Sequence, residues 1–368
     1  MTEKIVLTLT KHPLWGYVLQ PVLVEENDYG TLTILEFADS NSSGFAQLNE
    51  LSKEIVRLSE EMSDTVLMTS FSKEKVKTIA AFHRKVKQEV IDETIRPFID
   101  DIHHKILLLL KKAEMPLYIR ENVKIRNLYD TNLTEIPADF SKVVFHFTKQ
   151  AEEACICYSI RVKWEEEELD IFSQPCFHLC SEPAALVINK KLLLFDDIDI
   201  KKLTPFFSKR EIEIPLSYET TYIKTFIKNC FENHEVIAEG IDIRKIKPCK
   251  KAQLLLKTDS DNTPVFNLIF FYEENECHPN NTSKKIVQPV ECNGKAALTW
   301  FHPDNKWEKS LIGMLLENGL EKNGPHHFSL KKNKTEPLIS RQIKNMTDWI
   351  GQHHDIMKNF EFDQKIPD

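Results

Sequence analysis

The stretch that most constrains the fold of this chain is residues 184–215, where several local signals agree. Two short apolar runs, 186–188 and 192–195, flank the polar residues Asn189, Lys190 and Lys191. Two apolar runs joined by a polar turn predict a β-hairpin. We expect this hairpin to act as a packing nucleus for the surrounding chain.

A short helix and a further strand are predicted directly after the hairpin. Asp196, Asp197 and Asp199 suit the first turn of a helix, because carboxylates are favoured at the positive helix end. That helix should end near Thr204, because a residue before proline avoids the helical region. Residues 211–214 alternate as a half-buried strand does. The stretch contains no His, Cys or Gly, so we do not expect an active site within it.

Outside this stretch, the pattern predicts an α+β fold with mainly antiparallel sheets, packed helices and two subdomains. Residues 1–115 have three strand-like runs and then amphipathic helical stripes, which predicts a small sheet with a helical layer. Residues 116–320 have many short strands and no helix strong enough to form βαβ units, so we expect an antiparallel α+β domain. Residues 321–368 read as a polar loop, an exposed helix and an unpartnered tail leading to a following domain.

Composition excludes several classes of protein. In 368 residues, 42% are hydrophobic and 28% are charged, as in ordinary soluble proteins. Only 9 are Gly, and neither the P-loop nor the dinucleotide-binding fingerprint occurs, so we expect no cofactor. The net charge of −8 opposes a surface that is basic throughout, although it permits a local basic patch.

The expected cellular location follows from the lack of targeting and membrane-spanning patterns and from the distribution of the cysteines. The first residues do not resemble a signal peptide, and apolar runs such as 106–110 are far too short to span a membrane. The 8 cysteines are spread along the chain, which favours reduced thiols and a cytoplasmic location.

The order of the landmarks along the chain resembles a known type of region. The landmarks are Leu9-Thr10-Lys11-His12-Pro13, Gly16, Leu19-Gln20-Pro21, Asn127-Leu128-Tyr129-Asp130, Phe145-His146-Phe147, Lys201-Lys202-Leu203-Thr204-Pro205-Phe206-Phe207-Ser208-Lys209 and Ala238-Glu239-Gly240. Together they resemble the N-terminal, non-catalytic region that precedes the motor in bacterial Swi/Snf-type helicases, over most of residues 5–320. They are packing and turn motifs rather than chemical ones.

This resemblance implies an accessory role without catalysis. A motor of that family needs a P-loop lysine and an acidic Walker-B pair, and neither occurs in this chain. The expected partners are therefore a helicase motor domain, in cis or in trans, and DNA, with no membrane and no enzymatic activity in this chain alone.

Cysteine and histidine residues in the middle of the chain are the main candidates for a metal site. They are Cys155, Cys157, Cys176, His178 and Cys180, with His146 nearby. Zinc favours four sulfur or nitrogen ligands, but its structural sites usually space them by two to four residues on a turn. Because Cys is often buried without any metal, free thiols are the favoured interpretation and a zinc-containing module is the alternative.

Two acid–histidine groups are weaker candidates. Asp100, Asp101, His103 and His104 lie at the start of a helix, where a carboxylate could orient an imidazole. Acidic residues are ordinary at that place, so a structural role is favoured. The group at residues 353–355 is interpreted as a solvated helix end.

The best candidate for contacts with nucleic acid is the basic segment Arg244, Lys245, Lys247, Lys250 and Lys251 around Pro248. It lies between two predicted strands and should form an exposed turn. A stand-alone DNA- or RNA-binding protein working through this turn is thus an alternative function. No aromatic residue is interleaved with it to stack on bases. Two other basic patches, 73–87 and 331–334, are weaker candidates.

Overall fold

The computed structural model describes residues 2–72, 76–149, 155–260, 263–277, 285–292, 294–330 and 338–365. Helices and strands both occur, and most neighbouring strands run antiparallel, which confirms the predicted α+β class. The chain divides into two compact units. Unit 1 is Met1–Ile214 with His234–Glu239, and unit 2 is Pro215–Asn233 with Gly240–Asp368. No helix in the described part of the chain is long and apolar enough to cross a membrane.

Unit 1 contains the described residues up to Ile214 and begins with strands and helices in turn. Its strands are β1 (Thr2–His12), β2 (Gly16–Glu26), β3 (Leu32–Phe37), β4 (Leu117–Arg120), β5 (Asn127–Leu128), β6 (Lys142–Thr148), β7 (Cys155–Trp164), β8 (Glu167–Leu169), β9 (Cys176–Ser181), β10 (Ala184–Ile188), β11 (Lys191–Leu194), β12 (Ile212–Pro215) and β13 (Glu235–Glu239). Its helices are α1 (Glu50–Glu61), α2 (Asp64–Phe71), α3 (Ile79–Lys85), α4 (Gln88–Val90), α5 (Arg96–Leu110) and α6 (Ile200–Leu203).

The first sheet has the order β4-β1-β2-β3-β5. β1 and β2 form an antiparallel hairpin in which Thr2 pairs with Glu26 and His12 with Gly16. Gly16 has a φ of 86°, which suits glycine because it lacks a Cβ. β4 pairs in parallel with β1, so the sheet continues across the division predicted at residues 115 and 116. The compact units divide the chain at other positions.

Helices α1 to α5 cover one face of this sheet. α1 begins at Glu50, because the Asn49 side chain caps it by accepting the Ser52 N–H at 2.8 Å. α5 carries Pro97 in its first turn and buries a stripe that includes Ile102, Ile106 and Leu110. These residues pack with β1, β2 and the β9–β11 sheet in one core.

The predicted hairpin at the centre of the chain is confirmed as β10 and β11, with Ile188 opposite Lys191. Asn189 and Lys190 both have positive φ, at 48° and 63°, as a tight hairpin turn requires. The predicted helix and strand follow as α6, capped by Asp199, and as β12. Every residue of β10 is buried, as expected of a packing nucleus.

The remaining sheet of unit 1 has the order β12-β7-β6-β13, with β8 paired to β7. β6 and β7 are antiparallel, as predicted for this part of the chain, whereas β13 joins β6 in parallel. β7 alternates between buried and half-buried residues, so its two faces differ in environment.

Unit 2 consists of two sheets with helices. Its strands are β14 (Ile243–Lys245), β15 (Lys250–Thr258), β16 (Pro264–Tyr272), β17 (Asn275–Cys277), β18 (Ile286–Cys292), β19 (Lys295–Phe301), β20 (Leu320–Lys322), β21 (His327–Leu330) and β22 (Glu361–Gln364). Its helices are α7 (Glu219–Tyr222), α8 (Lys228–Asn233), α9 (Asn305–Glu317), α10 (Ile339–Gln352) and α11 (His354–Met357). The sheet orders are β14-β19-β18 and β20-β21-β16-β15-β22, with β17 paired to β16.

Two predictions about the last fifty residues are wrong. The stretch expected to be a loop contains β20 and β21, which pair with each other and extend the larger sheet. The tail expected to lack a partner forms β22, which pairs in parallel with β15 from Gln253 opposite Glu361. α10 is also less exposed than predicted, because Met346 and Trp349 lie in the core beside Phe266.

Candidate functional site

The basic segment of unit 2 is held by two strands rather than by a free turn. Arg244 and Lys245 end β14, whereas Lys250 and Lys251 begin β15, and only Lys247 lies in the connection. All five side chains belong to exposed residues. The backbone of this segment is therefore fixed at both ends by strand pairing, and we refer to these five residues as the basic edge of unit 2.

Three of the five predicted cations already have carboxylate partners. Arg244 Nε donates to Asp242 at 2.7 Å, and Lys250 Nζ donates to Asp304 at 2.8 Å. Lys251 Nζ lies 3.0 Å from a carboxylate oxygen of Glu361. Exposed ion pairs are weak, so a phosphate of a nucleic acid could replace such a carboxylate. Each broken ion pair, however, reduces the free energy gained on binding the nucleic acid. Lys245 and Lys247 have no ion-pair partner within the described residues.

Aromatic rings accompany this segment, although none is near it in sequence. Lys245 Nζ lies 5.1 Å from the centre of the Trp300 ring, and Lys250 Nζ lies 5.2 Å from that of Trp307. Lys285 Nζ lies 4.5 Å from the Phe231 ring. An ammonium group over an aromatic face is attracted by the ring quadrupole, so these lysines are held in place by the rings. Sequence reasoning missed these rings because they come from β19, α8 and α9.

A cleft of about 450 Å³ adjoins these residues. Lys247, Lys306 and His302 line it, and all three are exposed. The first turn of α9 also borders it, but Asp304 already caps that helix by accepting the Trp307 N–H at 3.1 Å. The cleft therefore offers cationic side chains to a ligand, whereas the helix end is occupied by a carboxylate.

The predicted cysteine–histidine residues lie on two different sheets of unit 1. Cys155 and Cys157 share one face of β7, with their Sγ atoms 3.6 Å apart. Cys176, His178 and Cys180 lie on β9. Among the described residues, one set of three ligand-type side chains comes together, and it includes none of these five. The structure therefore does not bring any three of the predicted residues together as metal ligands.

The environment of the β9 thiols opposes metal binding. Burial raises the pKa of Cys176 to about 12, and burial together with the nearby Asp100 charge raises the pKa of Cys180 above its usual value. A thiol must be deprotonated to bind a metal, so these raised pKa values favour the neutral thiol. Cys180 Sγ instead donates to the Asp100 carbonyl at 3.5 Å.

The acid–histidine group at the start of α5 serves packing. His103 is buried, its Nε2 accepts the Leu19 N–H at 3.2 Å, and its Nδ1 donates to the Leu179 carbonyl at 3.1 Å. Asp100 accepts the Ser181 N–H at 3.1 Å. His103 thus joins α5 to β2 and β9 as a core histidine, which agrees with the favoured structural interpretation.

The one set of three ligand-type side chains that meets within the described residues was not predicted from the sequence. It consists of His12, Asp64 and His83, whose ligand atoms all lie within 4.8 Å of one another. His12 ends β1, Asp64 begins α2, and His83 lies on α3. Burial raises the pKa of Asp64, but the N–H groups of His12 and Trp15 and the charges of His12 and His83 together outweigh it and lower the pKa to about 2. Asp64 is therefore ionised at neutral pH.

The other predicted groups have local partners or are not described. His353 stacks on Trp349 with 4.6 Å between ring centres, and Asp355 pairs with Lys358 at 2.6 Å, as expected of a helix end. In the patch at 73–87, residues 73–75 lie outside the described residues, as does the whole patch at 331–334.

No model of a protein family matches the chain, and no curated protein matches it. The resemblance to helicase-associated regions is therefore a hypothesis that depends on the landmarks in the sequence.

Proposed function

We propose that this chain is a non-catalytic accessory region of a Swi/Snf-type ATP-dependent helicase, which helps to position the motor on DNA through the basic edge of unit 2. The observation that carries this proposal is the set of exposed lysines held over aromatic rings, with Lys245 over Trp300 as the central pair. The ordered landmarks of the sequence support the choice of helicase family.

The contacts favour binding to the phosphate backbone. Lys245, Lys247, Lys285 and Lys306 supply cations without carboxylate partners in the described part of unit 2. Release of counterions from nucleic acid makes such binding independent of sequence and strongly dependent on salt. Because the whole chain carries a net charge of −8, we expect binding through a local basic patch rather than over the whole surface.

DNA binding is tested by a charge reversal with a matched control. Lys245→Glu combined with Lys247→Glu should weaken binding of a labelled DNA duplex, measured by fluorescence anisotropy. It should also reduce the slope of log K against log salt by roughly 2, about 1 for each phosphate contact. Lys201→Glu with Lys209→Glu changes the net charge equally at exposed sites of unit 1 and should leave both quantities unchanged. Equal losses in both double variants would refute binding at this edge.

The helicase role needs a separate measurement. Added in trans to a Swi/Snf-type motor from the same organism, the chain should change the rate of DNA-stimulated ATP hydrolysis. The double variant Lys245→Glu, Lys247→Glu should remove that change. DNA binding without any effect on the motor would favour the stand-alone nucleic-acid-binding protein instead. Absence of both would contradict the proposal as a whole.

A further inference from the structure

The convergence of His12, Asp64 and His83 in unit 1 is not used by the proposed function. We propose that these three residues form a binding site for a divalent transition-metal cation of the zinc class. Two imidazoles and one carboxylate are ligands that such cations prefer, and this set leaves positions open for water or another ligand.

The distances agree with tetrahedral coordination. With Zn–N and Zn–O bonds of about 2.0–2.2 Å, neighbouring ligand atoms in a tetrahedron lie roughly 3.3 Å apart. His83 Nε2 lies 3.2 Å from Asp64 Oδ1, and His12 Nε2 lies 3.7 Å from Asp64 Oδ2. These two distances use different oxygens of Asp64, and one ligand atom from each of the three residues lies within 4.8 Å of the others. Side-chain rotations that shorten the longest of these separations would therefore bring one atom from each residue around one cation.

His83 has a nitrogen available for a ligand. Its Nε2 is buried and makes no hydrogen bond with the described residues. It lies 3.2 Å from Asp64 Oδ1, but the two groups are not aligned for a hydrogen bond. An unsatisfied buried nitrogen beside an ionised carboxylate is costly in the cation-free protein. A cation between the two would satisfy both groups.

The surroundings provide support and access. Trp15 Nε1 donates to Asp64 Oδ1 at 2.9 Å, which orients the carboxylate in the way that outer-shell groups orient metal ligands. A cavity of about 510 Å³ opens beside His12 and Asp64. A cation and its waters can therefore reach the site from the surface.

Binding at His12 has a structural consequence. Its Nδ1 accepts the N–H groups of Leu14 and Trp15, both at 3.2 Å, so in the cation-free protein the ring proton is on Nε2. Coordination through Nε2 moves that proton to Nδ1, and the two backbone N–H groups lose their acceptor. Trp15 also stacks on the His12 ring with 5.3 Å between centres. Cation binding should therefore change the environment of the Trp15 indole.

The test is a titration of the chelator-treated full chain with Zn²⁺, in which binding is measured by calorimetry and by tryptophan fluorescence. One Zn²⁺ per chain should bind and change the fluorescence, and Trp15→Phe should remove that change. His83→Gln and Asp64→Asn should each weaken binding by roughly tenfold or more, at least the effect of removing an outer-shell partner. Circular dichroism confirms that each variant is folded.

Two controls separate this site from the thiols and from exposed histidines. Cys155→Ser combined with Cys157→Ser removes a pair of thiols whose Sγ atoms lie 3.6 Å apart, and His354→Gln removes an exposed imidazole. Neither should change the affinity of the proposed site. The proposal would be overturned if Zn²⁺ did not bind, or if His83→Gln and Asp64→Asn bound Zn²⁺ as tightly as the wild type. Loss of Zn²⁺ binding in the double cysteine variant would also overturn it.

Discussion

His103 makes the stability of unit 1 depend on pH in a direction that can be calculated. Burial lowers its pKa from 6.5 to about 4, against the opposing effects of the Leu179 carbonyl and the nearby Asp100 charge. The geometry explains why protonation is unfavourable, because the side chain is 1% exposed and its Nε2 faces the Leu19 N–H. A protonated ring would place two donors against each other and a charge in the core.

The sign and size follow from proton linkage. As the pH falls below 6.5, the unfolded chain binds a proton at His103 while the folded chain does not, so the folded state loses stability. The loss levels off below about pH 4, where the folded ring is also protonated. The difference between 6.5 and about 4 corresponds to roughly 3 kcal/mol of unfolding free energy, or about 1.4 kcal/mol per pH unit.

The comparison of His103→Gln with the wild type isolates this effect from other titrating groups. The free energy of unfolding is measured by urea titration from about pH 7.5 to about pH 4. Wild type should lose roughly 3 kcal/mol relative to His103→Gln over this range. His104→Gln, on the same helix, is the control and should follow the wild type. Parallel pH profiles for wild type and His103→Gln would refute the reasoning.

Two further predictions concern single residues. Lys190 has a φ of 63° beside Asn189 in the β10–β11 turn, so Lys190→Gly should raise the free energy of unfolding by about 0.5–1 kcal/mol in urea titrations, and a decrease would contradict the assigned turn. Tyr272 is buried and donates to Glu308 at 2.7 Å, so Tyr272→Phe leaves a buried carboxylate without this donor and should cost about 1–3 kcal/mol. The same change at Tyr29, which is 95% exposed, should stay within about 0.5 kcal/mol, and equal effects would contradict the role of the Glu308 contact.

Local patterns predicted the elements that depend on neighbouring residues. The β10–β11 hairpin follows from two apolar runs and a polar turn, and the α5 stripe follows from its helical period. Pairing between distant segments was not predictable in this way. β22 consists of 4 residues, and all of them are exposed. It is held as a strand by its pairing with β15, which lies about a hundred residues earlier in the chain. A strand stabilised mainly by its partner's backbone carries little pattern of its own.

Both candidate sites depend on the same kind of long-range placement. The lysines at 244–251 were visible as a charge run, but Trp300 and Trp307 join them only through the pairing of β14 with β19 and the start of α9. No sequence pattern marks His12, Asp64 and His83 as a set, because no spacing links a strand end to two separate helices. Residue type was therefore readable from the sequence, whereas the chemistry arises from which elements the fold brings together.

The two proposals can be tested independently, because one concerns the binding of anionic DNA by unit 2 and the other the binding of a metal cation by unit 1. Lys245→Glu with Lys247→Glu changes the basic edge of unit 2 and should leave Zn²⁺ binding unchanged, since His12, Asp64 and His83 belong to unit 1. His83→Gln should likewise leave the salt dependence of DNA binding unchanged. If either variant affected both measurements, the common cause would be loss of folding rather than loss of a site. Two variants that each affect one measurement only would therefore locate both sites and show that the protein remains folded.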